Sequence, residues 1–416
     1  MGTRTFVNPR VSLAPAKRNL SRGFDMPLVL AVIALVVFGL IMLYSASYDF
    51  SFNEYGTPSY MFLRQVRWLA LGTVLAFVLS LFDYHHWRRL VLLAMLGTIG
   101  LLITVSIINE IRLGASRTLY QGSYQPSEVA KLVSVIYLSV WLYSKRQFLH
   151  DIGFGLIPLG IILGTIGGLI YRQPDLSAAA TVFILGGLLF FLAGADIKQI
   201  IVLLILAVGI GYLIVRFSAT GQNRVDSFLA GLQDPSHASY HVQRSFEAII
   251  KGGVFGVGLG QADTKLLGLP FAPTDSVFAV VVEELGLFGS VMLIGLYAAL
   301  VWRGLVIARR APDMLGTLLA SGITFWIGME ALINMSAMVG LVPFAGNALP
   351  FISAGGSNLV STICGIGIML NISRQSGGIV KKEENDWRSF GAVVDLRRGN
   401  GRRSVPRSRR SQRTRR

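Results

Sequence analysis

Charge is what this chain has least of: acidic and basic residues make up 14% of its 416 positions, where a soluble domain carries about a quarter. With 53% hydrophobic residues and a mean hydropathy of +0.59, a water-soluble globule is excluded and a polytopic membrane protein is indicated. Cysteine is nearly absent. The single Cys364 lies in an apolar run, so no internal disulfide can brace an outer surface. No cleavable leader is expected either. Met1 to Asp25 carries Arg4, Arg10, Lys17, Arg18 and Arg22, but the apolar run behind it is too long for a signal-peptide core and has no small-residue cleavage site. Residues 1–25 therefore read as a cytoplasmic tail. The net charge of +16 would suit a nucleic-acid binder, yet about 14 of the 38 Lys and Arg lie beyond Ile372, with no aromatic residues interleaved among the closing arginines. Nucleic acid is excluded as a partner. Residues 374–416 have the composition of a disordered cytoplasmic tail that contacts anionic inner-leaflet lipid.

What is present is a series of apolar runs, about ten of them long enough to cross a hydrocarbon core of some 20 helical residues. They cover 26–46, 62–82, 88–108, 127–144, 153–171, 176–194, 199–217, 276–303, 314–340 and 350–373. Cations cluster in alternate connections, at Arg88 and Arg89, Lys145 and Arg146, Lys198, and Arg309 and Arg310. About 13 fall on that side against about 5 on the other, which places both termini in the cytoplasm. The expected fold is an all-α bundle of about ten transmembrane helices, residues 26–373, with one large extracytoplasmic loop over 217–275. Inside that loop His241–Lys251 sets Val242, Phe246, Ile249 and Ile250 against Arg244, Glu247 and Lys251, the pattern of a short helix lying at the membrane interface.

Ionisable groups within spans are expensive and draw attention first. Glu128 and Lys131, three apart on one helix face, can form a structural ion pair or meet a substrate. Asp175 after Gln173-Pro174 reads as a helix-start stabiliser. Glu283 and Glu284 are adjacent, so at most one faces the same cavity as Asp275. Glu330 is a buried acid with no partner that the sequence names. The glycines at 252, 253, 256, 258 and 260 follow no strand and lie outside, so they suggest a tight turn letting backbone approach a headgroup or a packed helix, not a nucleotide loop. Thr274-Asp275 precedes an apolar run, where the plain role is a helix N-cap.

Five segments together resemble the SEDS family of bacterial proteins, which includes FtsW and RodA. They are Gly114-Ala115-Ser116-Arg117, Gln125-Pro126-Ser127-Glu128 with Lys131, Gln173-Pro174-Asp175-Leu176, Lys265 to Gly286, and Asn334 to Ser357, ending GLVPFAGNALPFISAGGS. Phe191 to Ala195 and Leu370 to Arg374 are more similar to the FtsW branch than to the RodA branch. The resemblance implies a plasma-membrane glycosyltransferase that polymerises lipid II into peptidoglycan on the outer face during division or elongation. It implies a class B penicillin-binding protein and divisome or elongasome proteins as partners, and no organic cofactor. Asp275 corresponds to the family's essential aspartate.

Inverting transfer of this kind needs a base near the attacking hydroxyl and positive charge near the leaving diphosphate. Asp275 serves as that base, or holds a divalent cation, magnesium or manganese, on the diphosphate. Arg117, Arg224, Arg244, Lys251 and Lys265 are the candidate outer cations, with Lys131 and Glu128 deeper, and Ser353 and Ser357 are candidate substrate-binding hydroxyls. The chain departs from the pattern where Phe271 and Pro273 replace Glu and His, and where Ala345 and Ala354 stand near the C-terminal motif. Helper groups beside the acid are therefore missing. Two other readings compete: a lipid-linked-precursor flippase working through Glu128, Lys131, Asp175 and Glu330, and a non-enzymatic scaffold to which no single acid matters.

Overall fold

The computed structural model describes residues 23–111, 125–173, 175–266 and 268–391. Its helices run in the order α1 (Met26–Tyr55), α2 (Tyr60–Leu81), α3 (Trp87–Ile111), α4 (Pro126–Lys145), α5 (Ile157–Tyr171), α6 (Leu176–Leu192), α7 (Ile197–Phe217), α8 (Ala219–Gln233), α9 (Tyr240–Gly252), α10 (Val277–Arg309), α11 (Met314–Met338) and α12 (Gly356–Gly391). No strand occurs among the described residues. Every run expected to span coincides with a helix. Eight segments are long and apolar enough to cross a membrane, and α6 is a shorter apolar helix. The 20-residue α4 is not among the eight, and it is the helix that carries Glu128 and Lys131.

Local chemistry starts the helices where the chain needs them. Asp25 caps α1 by accepting from Leu28 N at 3.0 Å and also takes both arms of Arg303, at 3.2 and 2.5 Å, which ties α1 to α10. Asp313 caps α11 through Gly316 N at 2.8 Å. Around it, His85 sets one ring nitrogen against Asp313 at 2.8 Å and the other against Asp83 at 2.6 Å, joining the α2–α3 connection to the start of α11. Burial alone would raise the Asp83 carboxyl, but hydrogen bonds from His85 and Gln375 bring it down to about 2.

The core is built from α10, α11 and α12, with α1, α2 and α4 packed on them. By contrast α7 lies outermost, with Gln199 its one buried residue. Three features differ from the sequence expectation. First, α10 is broken at Gly286, whose φ is +65°. Leu287 to Arg309 is long enough to cross by itself, about 34 Å at 1.5 Å per residue. Glu283 and Glu284 thus stand on a short buried segment before the break and not within a continuous helix. Second, the loop over 217–275 is largely helical. The apolar face of α9, with Val242, Ser245 and Ala248, is buried against α10 and α11. Of the face expected to be apolar, Val242 is buried there, Phe246 and Ile249 are partly buried, and Ile250 is exposed. At the other end α12 continues past residue 373 to Gly391, into the stretch whose composition suggested disorder.

The glycine-rich patch closes the break. Val257 N and Gly258 N donate to the carbonyls of Glu283 and Glu284 at 2.9 and 3.0 Å, and Leu287 N and Phe288 N donate to Gly253 O and Val254 O at 3.0 and 3.2 Å. The backbone groups released by the interrupted helix are thereby paired. A Cβ on Gly256, whose φ is +80°, would overlap the Glu284 carbonyl, so this approach requires glycine.

Candidate active site

Asp275 sits in a tight turn immediately before α10. The turn is closed by Thr274 N and Ser276 N donating to Phe271 O at 2.9 and 3.3 Å, and by Ser276 Oγ donating to Pro270 O at 2.9 Å. Ser276 is the N-cap of α10 and its side chain makes no cap bond, so neither Thr274 nor Asp275 fills the cap. Phe271 takes a positive φ of 52°, a strained choice for an aromatic residue of the kind that functional turns hold.

Three successive carbonyls of this turn are gripped by the C-terminal motif. Ala354 N donates to Pro273 O at 2.8 Å, Ser353 Oγ to Thr274 O at 2.6 Å, and Asn334 Nδ2 to Asp275 O at 2.9 Å. Asn334 Nδ2 also reaches Asn347 O at 2.5 Å. Gln65 on α2 steadies the gripping segment by donating to Ser353 O at 3.1 Å and accepting from Gly355 N at 3.3 Å. The carboxylate itself is half-buried and lies beside Gly346, where a Cβ would stand 3.2 Å from Asp275 Oδ2. Asp275 is thus a half-exposed acid on a backbone fixed from α2, α11 and the 347–354 segment.

A second polar cluster lies deeper. Lys131 is buried between Glu128, at 2.9 Å, and Glu330, in direct contact, and Asn358 Nδ2 donates to Glu128 Oε2 at 2.8 Å. The partner of Glu330 is therefore Lys131, across 199 residues of sequence. Glu330 and Asn334 are one turn apart on α11, so a single helix face joins this ion cluster to the Asp275 turn. Asp175 caps α6 through Ala178 N at 3.2 Å and accepts from Gln125 Nε2 and Ser127 Oγ at 2.9 and 3.0 Å. Ser357 Oγ accepts from Gln125 N at 3.0 Å. These contacts draw the Gln125, Gln173 and Ser357 segments of the sequence into one buried network, a convergence that spacing alone does not show.

The proposed cations separate into engaged and peripheral. Lys265 is buried with its ammonium 3.0 Å from Glu284 and within reach of Ser45 and Gly260 carbonyls. Glu284 also accepts from Ser45 Oγ at 2.5 Å, while Glu283 accepts from Asp263 N, Thr264 N and the Thr264 hydroxyl. The adjacent acids hold the 260–265 loop, and neither is directed at Asp275 by these contacts. Arg244 pairs with Glu247 at 2.6 Å, and Lys251 lies 3.9 Å from Asp263. Arg117 lies outside the described residues. Arg224 lines a cavity of about 370 Å³ between α8, α9 and the chain after α11.

That cavity adjoins the Asp275 turn through aromatic stacking. The His241 ring lies 4.2 Å from Phe344 at 13° and 6.1 Å from Phe271 at 7°. His241 was not singled out as a site residue by the sequence. The departure at Phe271, an aromatic where the resembling proteins carry an acid, was its one trace. Burial, and secondarily the charge of Arg224, lower the His241 pKa and favour a neutral ring. Among the described residues, no three His, Cys, Asp or Glu side chains converge as a metal cage.

The family model for FtsW, RodA and SpoVE proteins, described as cell cycle protein, matches residues 26–377. The chain is 34% identical over 361 residues to a probable peptidoglycan glycosyltransferase FtsW of Geobacter sp. (strain M18), covering 86% of this chain and 98% of the relative. It is 33% identical over 358 residues to the stage V sporulation protein E of Bacillus subtilis, covering 85% and 97%. Among solved structures it superposes with a TM-score of 0.69 on a chain from work on the coordination of polymerization and crosslinking by a peptidoglycan synthase complex, at 26% identity over 85% of this chain and 99% of that one. The Thermus thermophilus rod shape determining protein RodA shares the fold, with a TM-score of 0.60 at 24% identity, covering 85% and 97%.

Proposed function

The chain belongs to the FtsW/RodA/SpoVE family, and from that premise we infer that it is an FtsW-like peptidoglycan glycosyltransferase of the bacterial plasma membrane. Its substrate in this reading is lipid II, presented on the outer face. The observation that supports Asp275 as the essential carboxylate is the grip on its turn, three consecutive carbonyls held by Ala354, Ser353 and Asn334. Such anchoring keeps a reacting group in one geometry. In the reaction an acceptor sugar hydroxyl attacks the anomeric carbon of the growing chain. The new C–O bond forms as the bond to the lipid diphosphate breaks, and the hydroxyl proton passes to the Asp275 carboxylate. In the alternative role the half-buried carboxylate, a hard oxygen donor of the kind that takes magnesium or manganese, holds the ion in place of accepting the proton. A divalent ion there would neutralise the leaving diphosphate, with Asp275 as its protein ligand.

The buried Glu128–Lys131–Glu330 cluster takes a structural role in this account. It locks α4, α11 and α12 behind the turn and fixes α11, which carries Asn334. The partner is a class B penicillin-binding protein that crosslinks the strands, a pairing supported by the peptidoglycan synthase complex among the structural relatives. The test is polymerisation of fluorescent lipid II by the purified protein with its transpeptidase and a divalent cation. Long glycan products are expected. Movement of lipid II across vesicles independently of Asp275, with no polymer in any partner complex, would put a transporter in its place.

A further inference from the structure

The cavity between α8 and α9 has a chemistry that the transfer step leaves unused. At about 370 Å³ it falls within the range of small-molecule sites. Its walls include Phe228, Phe246 and Phe344, and its polar groups include Arg224, Ser239 and His241. No carboxylate lines it, so it is not built for a cation. Two of its polar atoms, Ser239 Oγ and His241 Nδ1, are buried with no hydrogen-bond partner among the described residues. Ser239 occupies the N-cap of α9, yet its hydroxyl makes no cap bond. Buried unpaired polar atoms are costly, which argues for an occupant with matching hydroxyl or amide groups. An acyl chain would leave both atoms unpaired. A diphosphate would meet one arginine and a ring kept neutral by burial, a poor match for its charge.

Aromatic faces with a few hydrogen-bonding atoms suit a ligand with apolar CH faces and a polar rim. We propose that this cavity is a saccharide subsite, holding a sugar of the glycan strand beside the one that reacts at Asp275. The His241 ring, stacked on Phe344 and facing Phe271, forms the wall between the subsite and the Asp275 turn. The inference rests on the reading of the chain as a glycan polymerase and adds to it a site that retains the product between additions.

The test uses the full-length protein in detergent with two probes. The first is a lipid-free tetrasaccharide of alternating N-acetylglucosamine and N-acetylmuramic acid, followed by saturation-transfer NMR and calorimetry. The second is fluorescent lipid II, with polymer length read on gels. Ser227→Trp fills the cavity, and Ser239→Ala removes one unpaired hydroxyl without costing a cap. The tetrasaccharide should bind wild type, weaken about three- to tenfold in Ser239→Ala, as the loss of one hydrogen bond implies, and lose at least tenfold in Ser227→Trp. Both variants should also make shorter polymers. If Ser227→Trp lowers Tm, Ser239→Ala carries the result. Affinity and polymer length equal to wild type in Ser239→Ala, or no saturation transfer to the tetrasaccharide in wild type, overturns the subsite. Loss of lipid II binding with unchanged tetrasaccharide binding would also overturn it, because the cavity would then serve the lipid-linked precursor. A wild type that binds the tetrasaccharide but forms no polymer refutes the polymerase reading and leaves the subsite standing.

Discussion

Replacing Gly256 by alanine should detach the 253–258 loop from the break in α10. Gly256 has φ +80°, and its Cβ would overlap the carbonyl of Glu284. A left-handed alanine costs about 1–2 kcal/mol. Relieving the overlap means withdrawing the loop, which endangers the four backbone bonds made by Val257, Gly258, Leu287 and Phe288. At about 1 kcal/mol each, together with the strained alanine, the local loss is on the order of 5–6 kcal/mol. Hydrogen exchange followed by mass spectrometry reads this directly. Peptides covering 254–260 and 285–290 should exchange at least a hundredfold faster in Gly256→Ala. Gly295→Ala in the same helix, where nothing lies within 4 Å of the new methyl, should exchange as wild type does. Unchanged protection in Gly256→Ala would refute the claim that this loop closes the break.

Lys131→Met leaves Glu128 and Glu330 buried without their cation and should destabilise the protein by about 3–5 kcal/mol, seen as a lower Tm. Adding Glu128→Gln and Glu330→Gln should recover much of that loss, and failure to recover would assign Lys131 to substrate. Asn334→Ala removes the bond to Asp275 O, so kcat for lipid II polymerisation should fall tenfold or more with KM little changed; a change confined to KM would contradict a positioning role. His241 has a lowered pKa in the folded protein, so as pH falls through about 6.5 the unfolded state takes up the proton first and stability drops. Differential scanning of wild type against His241→Gln from pH 7.5 to 5.5 should show a steeper decline for wild type, and parallel slopes would contradict a buried neutral ring.

The spans were legible because a run of about 20 apolar residues is a local property of sequence, and each expected run became a helix. Partners across the bundle were not. Nothing near Glu330 points to Lys131, since their contact depends on how α4 and α11 pack. The amphipathic period of α9 was visible, but periodicity shows that a face is apolar without showing whether lipid or protein covers it. The break at Gly286 was hidden by its apolar surroundings, and only the glycines of the distant 252–258 stretch hinted at a backbone contact. Asp275 was identified through its motif, while the grip on its carbonyls came from Ser353 and Asn334, about sixty to eighty positions away. Ser353 was thus picked out by sequence as a substrate hydroxyl, and in the structure it donates to Thr274 O while accepting from Leu349 N.

The central claim is that one carboxylate on a clamped turn drives glycan polymerisation. Its most direct measurement is lipid II polymerisation by wild type, Asp275→Asn and Asp275→Ala in the transpeptidase complex, with Tm recorded for each. The account predicts long glycan from wild type and none from either variant, with Tm within a few degrees of wild type. Polymer of normal length from Asp275→Ala would contradict it.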